Sequence, residues 1–198
     1  MNIYKNLVSI HTQAISPSLC QRTIDYFDNH IEESKQSAIA NPDFIDPLDF
    51  RRSQEICLQW PQKKGDDTLC FDLANAIVPL MDEYFKKYSQ FLPKRPTQYE
   101  QIHLLKYEAN DGWYHFHSDN DGTPESNIDN RVISVIIYLN DVKEGGETEF
   151  EYIDVGPIKP NQGDVIMFPS GKSHCHRGNI PISGQKYIAV LWLKEERA

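Results

Sequence analysis

The first half of the chain places hydrophobic residues at helical spacing, and the second half places them at the spacing of short strands. From a Ser–Pro start at Ser16, the residues Cys20, Ile24 and Phe27 share one helical face, which predicts an amphipathic helix. A second apolar stripe predicts a helix over about residues 67–90. Both stripes are expected to pack in the core.

The stretch between these two helices is polar, contains prolines and has no clear period. It predicts a long loop over residues 36–56. Loops of this length are uncommon inside a compact domain and often serve as lids, so we expect a lid over a substrate site.

After about residue 93 the pattern changes to short segments rich in β-branched and aromatic residues, separated by turns. These segments cover residues 99–107, 113–119, 131–140, 147–152, 163–168 and 186–193. Several short strands at this spacing predict a closed or two-sheet β structure. Helices followed by strands predict an α+β fold in which the helices buttress one face of a sheet.

Length and charge narrow the class of protein. A chain of 198 residues suits one domain, with helical support over about 1–92 and a β core over about 93–198. The formal net charge of −9 gives no general attraction to nucleic acid or to an anionic membrane.

The sequence shows no membrane-spanning or secretory signal. No apolar run is long enough to cross a bilayer, and the N-terminus lacks the apolar segment of a signal peptide. The four cysteines are scattered and form no CxxC pair. We therefore expect reduced thiols in a cytoplasmic protein.

The stretch WYHFHSDND carries candidate metal ligands. His115, His117, Asp119 and Asp121 recur at every second position, and strand alternation would place all four side chains on one face. A second pair of histidines, His174 and His176, follows late in the chain. Two imidazoles and one carboxylate form the facial triad that suits non-haem Fe(II). These residues alone leave open which of them are ligands.

Three stretches carry a resemblance to a known family. YEANDGWYHFHSD, RVISVIIYLNDVKEGGETEF and GDVIMFPSGKSHCHRGNIPISGQKYIAVLWL occur in this order. Together they resemble the 2-oxoglutarate/Fe(II) dioxygenases, and within these the prolyl 4-hydroxylase-like branch. The resemblance covers about residues 99–193, and RRS at 51–53 resembles a segment that lies upstream in these enzymes. It implies a double-stranded β-helix, or jelly-roll, core.

The resemblance implies a particular set of iron ligands. His117 and Asp119 match the two proximal ligands. His176 matches the distal ligand better than His174, because the family has a basic residue ten positions beyond it and Lys186 stands there (186 − 176 = 10). His115 and His174 are then expected to support or pack around the site, and Asp121 is left without a role.

Other positions match residues around the cosubstrate and the substrate. Lys186 matches the cation that anchors the far carboxylate of 2-oxoglutarate, while Tyr107 and Tyr138 match tyrosines that hydrogen-bond it. Arg131 and Trp192 match positions near the substrate. Without the resemblance, these would read as an exposed lysine, two strand tyrosines, a surface arginine and a core tryptophan. Ser134 stands where the family often has threonine.

The implied reaction is a hydroxylation that uses Fe(II), 2-oxoglutarate and O₂, with ascorbate as reductant, and releases succinate and CO₂. The expected substrate is proline in a peptide or protein. One alternative is a dioxygenase of the same superfamily that acts on a free amino acid, a nucleobase or another small molecule. Two others are a catalytically silent, cupin-like binding protein and a zinc-binding structural module, although the latter usually needs cysteine ligands.

Overall fold

The computed structural model describes most of the chain. The described residues are 6–37, 47–58, 68–92, 96, 98–120, 122, 128 and 130–195. Asp121 and residues 38–46 of the predicted lid lie outside the described residues.

The described helices and strands are as follows. The helices are α1 (Pro17–Asn29), α2 (Pro47–Phe50) and α3 (Leu69–Lys87), with short 3₁₀ turns at Ile31–Glu33 and Lys172–His174. The strands are β1 (Ser9–His11), β2 (Lys35–Gln36), β3 (Arg51–Arg52), β4 (Gln54–Cys57), β5 (Gln98–Tyr99), β6 (His103–Tyr107), β7 (Trp113–His117), β8 (Arg131–Tyr138), β9 (Thr148–Phe150), β10 (Val165–Pro169), β11 (His176–Gly178) and β12 (Lys186–Lys194).

Both long helices were predicted from apolar spacing, and both predictions are confirmed. Helix α1 begins where the Ser–Pro start places it, because the Ser16 hydroxyl accepts a hydrogen bond from the backbone N–H of Leu19 at 3.3 Å. Cys20 and Phe27 are buried on one face of α1, as expected of an amphipathic helix. No helix in the described part of the chain combines the length and the apolar character needed to cross a membrane.

The strands form two antiparallel sheets in the described residues. The large sheet has the order β1-β10-β8-β12-β6-β4-β2, with β5 also paired to β12, and the small sheet has the order β3-β7-β11-β9. Sequence neighbours are seldom sheet neighbours, so the chain crosses repeatedly between the sheets, as in a jelly roll. The prediction of an α+β fold with a double-stranded β-helix core is confirmed.

The two faces of the large sheet bury different apolar sets. Leu191 and Leu193 of β12 pack with the residues of α1 and α3 in one core cluster. The alternate residues Ile188, Val190 and Trp192 belong to a second cluster on the opposite face. The helices therefore cover the outer face of the large sheet, and the inner face turns toward the space between the sheets.

The prediction of a long loop over residues 36–56 is wrong for its described second half. Residues 47–57 form α2, β3 and β4, and the strands enter different sheets, because β3 pairs with β7 whereas β4 pairs with β6. These strands are two and four residues long, too short to show alternation in the sequence. Their hydrogen-bond partners lie far along the chain, so only the tertiary fold specifies them.

Candidate active site

A β-bulge in the small sheet decides which histidines of β7 face inward. His176 pairs with His117, and Gly178 pairs with Tyr114, so β7 uses one residue more than β11 over the same span. The extra residue breaks simple alternation. The rings of Tyr114 and His117 therefore stack with centroids 3.5 Å apart, whereas His115 is exposed and stacks on Phe50.

The predicted placement of four ligand candidates on one face is therefore wrong for His115. His117 and Asp119 converge with His176, where β7 ends beside β11. The side-chain atoms of His117, Asp119 and His176 that are able to bind a metal lie within 4.8 Å of one another. His117 Nε2 is 3.5 Å from Asp119 Oδ1, and His176 Nε2 is 3.8 Å from Asp119 Oδ2. We call this cluster the triad.

Backbone carbonyls orient both imidazoles of the triad. His117 Nδ1 lies 2.8 Å from the carbonyl of His115, and His176 Nδ1 lies 3.0 Å from the carbonyl of His174. A carbonyl is only an acceptor, so each Nδ1 carries the proton and each Nε2 presents a lone pair to the centre of the triad. His115 and His174 thus contribute through their main chains, and the His174 ring is held elsewhere by the carbonyl of Asn6.

The carboxylate of Asp119 is buried and supported by hydroxyl groups. Its side chain accepts a hydrogen bond of 2.5 Å from Ser134 Oγ, which is itself 2.9 Å from Ser170 Oγ. Burial favours the neutral acid, but the positive charge that His176 and His117 carry when protonated outweighs it and holds the pKa of Asp119 well below its usual value. Burial also lowers the pKa of His176 to about 4, which keeps that imidazole neutral at physiological pH.

Lys186 begins β12 on the inner face of the large sheet and is 2% exposed. Its ammonium donates to the carbonyl of Gly146 at 3.0 Å and lies 4.6 Å from the centroid of the Tyr107 ring. Among the described residues no carboxylate lies within ion-pair distance of it. Burial lowers its pKa to about 8, against a smaller opposing effect of Glu147. A buried cation without a counter-ion is costly and suits an anionic ligand.

The two predicted cosubstrate tyrosines have partners within the protein. Tyr138 donates from its hydroxyl to Thr148 Oγ1 at 2.7 Å, and burial raises its pKa. Tyr107, which pairs with Lys186 across the sheet, hydrogen-bonds through its hydroxyl with Arg51 and Ser53. Both tyrosines are buried in the inner cluster.

Arg131 and Trp192 form one unit beside the triad. The guanidinium of Arg131 lies 3.7 Å from the centroid of the Trp192 ring and makes a two-point ion pair with Glu100, at 3.0 and 2.6 Å. It also donates to the main-chain carbonyl of Asp119 at 3.3 Å. Lys194 provides Glu100 with a second cation at 2.8 Å. Arg131 is thus a partly buried structural cation rather than a surface residue.

Sequence reasoning missed several side chains that the fold brings to this region. Arg51 is buried and lies 4.4 Å from the centroid of Tyr114, the ring that stacks on His117. The motif RRS was the signal for Arg51, but no periodicity marked it as inward-facing. Thr148 and Ser170 carry no sequence signal, because a single hydroxyl residue becomes informative only when its partner is known.

The donor set of the triad fits a divalent iron. Two imidazoles and one carboxylate, with no thiolate, match the ligands of non-haem Fe(II) centres, which leave coordination positions open for small molecules. The ring nitrogens are already oriented by carbonyls, and the carboxylate by Ser134. Such support is typical of metal ligands.

The sequence around the triad matches a known protein family. Residues 102–194 match the family described as the 2OG-Fe(II) oxygenase superfamily. This range contains the triad, Lys186 and both tyrosines, so the matched part of the chain is the part that carries the candidate site.

The curated relatives that the chain resembles are named as prolyl 4-hydroxylases. This chain is 31% identical over 123 residues to prolyl 4-hydroxylase 13 of Arabidopsis thaliana. The alignment covers 50% of this chain and 44% of that protein. The chain thus spans less than half the length of that curated relative.

Solved structures show the same fold. The viral collagen prolyl hydroxylase of Paramecium Bursaria Chlorella virus-1, in complex with 2OG, aligns with a TM-score of 0.70 and 20% identity over 99% of this chain and 100% of that chain. The Trichoplax adhaerens prolyl hydroxylase, in complex with a peptide of hypoxia inducible factor, aligns with a TM-score of 0.72 and 18% identity. This alignment covers 96% of this chain and 84% of that chain.

Proposed function

We propose that this chain is a 2-oxoglutarate- and O₂-dependent Fe(II) hydroxylase that acts on proline residues of a peptide or protein. The observation that carries the proposal is the convergence of His117, Asp119 and His176 within 4.8 Å, with both imidazoles oriented from outside the cluster. The names of the relatives support proline as the target.

The triad would hold Fe(II) through two Nε2 atoms and one carboxylate oxygen. Fe(II), with 2-oxoglutarate and O₂, supplies an oxidative decarboxylation that releases succinate and CO₂ and places one oxygen atom on a C–H bond. The protein's task is to hold the ligands in the correct tautomer and to exclude water. The carbonyls of His115 and His174 perform the first of these tasks.

Lys186 would bind the far carboxylate of 2-oxoglutarate. Its buried ammonium has only a carbonyl as hydrogen-bond acceptor in the described structure, and a carboxylate would satisfy its remaining donors. The Tyr138–Thr148 pair and Tyr107 would complete the wall of this pocket. The hydroxyl of Tyr138 is hydrogen-bonded to Thr148, and that of Tyr107 to Arg51 and Ser53, so both hydroxyls would be fixed in position.

Arg131 and Trp192 would shape the entrance on the substrate side. The Arg131 guanidinium is committed to Glu100 and to the carbonyl of Asp119, so its contribution would be to position the carboxylate ligand and the indole. Ascorbate would serve as reductant for iron that becomes oxidised.

The proposal is tested with purified protein, Fe(II), ascorbate, 2-oxoglutarate and a panel of proline-containing peptides, read by mass spectrometry. We expect succinate formation coupled to addition of one oxygen atom to proline, and loss of both products in His176→Ala. Succinate without peptide oxidation would favour a small-molecule substrate. Bound iron with neither product would favour a silent binding protein.

A further inference from the structure

A second cluster of metal-binding side chains lies on the large sheet. The donor atoms of Glu55, Cys57 and His103 lie within 4.8 Å of one another. Cys57 Sγ is 3.4 Å from His103 Nδ1 and 3.5 Å from Glu55 Oε1, and the imidazole is hydrogen-bonded to the carboxylate. We call this the β4–β6 cluster, and it shares no residue with the triad.

The pairing of β4 with β6 creates the cluster. Cys57 stands opposite His103, and Glu55 stands opposite Leu105, so the side chains of all three ligand candidates lie on the same face of the sheet. That face also carries Tyr107, which pairs with Lys186. The β4–β6 cluster is therefore on the inner face of the large sheet.

The β4–β6 cluster is only partly closed to solvent. All three candidate ligands are partly exposed, so an ion has access from solvent. The His103 ring meets the edge of Trp192 with centroids 5.0 Å apart. Trp192 is 8% exposed, and its indole Nε1 is a buried donor that has no hydrogen-bond partner among the described residues. An oxygen ligand on a bound ion is the kind of acceptor that this neighbourhood lacks.

We propose that Glu55, Cys57 and His103 form a second metal site, for a borderline-soft divalent ion of the Zn²⁺ type. A thiolate and an imidazole select such ions over hard ones, and the thiolate with the carboxylate balances two positive charges. On binding, the thiol proton passes to solvent, the proton on His103 Nδ1 moves to Nε2 by exchange with water, and the Glu55–His103 hydrogen bond is exchanged for two coordination bonds. Three protein ligands leave a position for water.

The distances suit this ion. Tetrahedral zinc with Zn–S of about 2.3 Å and Zn–N or Zn–O of about 2.0–2.1 Å places sulfur about 3.5 Å from each of the other donors. The two sulfur distances in the cluster are 3.4 and 3.5 Å. Only the imidazole and the carboxylate must move apart, and both are on side chains long enough to do so without a change in the strands.

The test uses Co²⁺ as a spectroscopic probe, because a cobalt–thiolate bond gives a charge-transfer band that His and Asp ligands do not. In His176→Ala, which lacks one triad ligand, we expect the band to persist. Adding Cys57→Ser to that background should abolish it. Equilibrium dialysis of the wild-type chain should give two Co²⁺ per chain, falling to one with Cys57→Ser alone.

Cys175→Ser is the matched control, because Cys175 is also partly exposed and lies between His174 and His176. It should leave the band intact. Circular dichroism checks the folding of each variant, and His103→Gln replaces Cys57→Ser if the latter does not fold. The proposal would be overturned if the wild-type chain lacked the band, or if the band survived in both Cys57→Ser and His103→Gln. Neither result would bear on the proposed hydroxylase activity.

Discussion

The triad and the β4–β6 cluster use similar donors but hold them in opposite ways. In the triad, each imidazole is bonded through Nδ1 to a carbonyl outside the cluster, so its Nε2 is free to bind. In the β4–β6 cluster, the same Nδ1 of the imidazole contacts both of the other ligand candidates. The triad is therefore preorganised. In the β4–β6 cluster the ligand candidates hydrogen-bond to one another, and a bound ion would have to replace these bonds.

The difference shows that nearness of ligand atoms does not by itself make two sites equivalent. What separates them is where the remaining hydrogen bonds of each ligand go. A preorganised site binds metal without losing internal bonds, and it also presents the donors in one tautomer. A site whose ligands hydrogen-bond to one another loses those bonds when it binds metal. Its affinity therefore depends on the strength of the metal–thiolate bond.

The largest expected effect follows from removing a triad ligand. His176→Ala should abolish succinate formation, because an iron with one imidazole and one carboxylate is neither held nor oriented. His30→Ala is the control, since His30 caps α1 on the outer layer, where its ring stacks on Tyr26. Turnover that survives in His176→Ala, measured with added Fe(II), would remove the triad from the reaction.

A smaller effect should follow from loosening the triad without removing a ligand. Ser134→Ala deletes the hydrogen bond to the Asp119 carboxylate and should raise the Fe(II) concentration for half-maximal activity about 10–100-fold. Ser134→Thr keeps the hydroxyl and should restore most of the affinity. Equal iron requirements for Ser134→Ala and the wild type would show that the carboxylate needs no such support.

The inner face of the large sheet should also show a pH effect through Lys186. In the role that we propose for Lys186, the cosubstrate carboxylate binds the charged ammonium, and burial lowers the pKa of that ammonium to about 8. As the pH rises through this value the protonated fraction falls, so the KM for 2-oxoglutarate should rise, approaching about tenfold per pH unit.

Lys186→Arg is the matched variant for that profile, because a guanidinium stays charged at these pH values. Its KM for 2-oxoglutarate should be nearly flat over the same pH range, whatever its absolute value. Parallel profiles of the two proteins would assign the pH dependence to another group.

The smallest effect concerns the link between the two clusters. Arg131 contacts the main chain of Asp119 on one side and the Trp192 ring on the other, and that ring meets His103. Arg131→Lys should lose the two-point geometry with Glu100 and cost about 1 kcal/mol of unfolding free energy, measured in urea.

Arg177→Lys provides the comparison for Arg131→Lys. Its ion pair with Glu149 is the more exposed of the two, with 43% and 25% of the side chains accessible, against 13% and 14% for Arg131 and Glu100. Exposed pairs contribute little, so the Arg177 variant should lose less stability. A larger loss for Arg177→Lys would contradict the role given to Arg131.

Particular residues show how far the sequence could predict the site. The roles proposed for His117, Asp119, His176 and Lys186 could be predicted from the sequence, because their motifs are short and follow one another in a fixed order along the chain. The sequence could not predict that the His115 side chain faces away from the triad. That orientation depends on a one-residue bulge, which exists only when β7 pairs with β11. Arg51 was likewise hidden in a segment too short to show a strand period.

The sequence by itself determined the two amphipathic helices and the α+β class, because helical periodicity is a local property. The ordered motifs are local as well, and they indicated the four positions that we propose bind iron and 2-oxoglutarate. The tertiary structure alone decided which ring of a repeated pattern faces inward. It also brought His103 to Cys57, across 46 residues of chain, and so completed the β4–β6 cluster with Glu55. Strand pairing is non-local, so the residues that it places side by side leave no trace in the order of the chain.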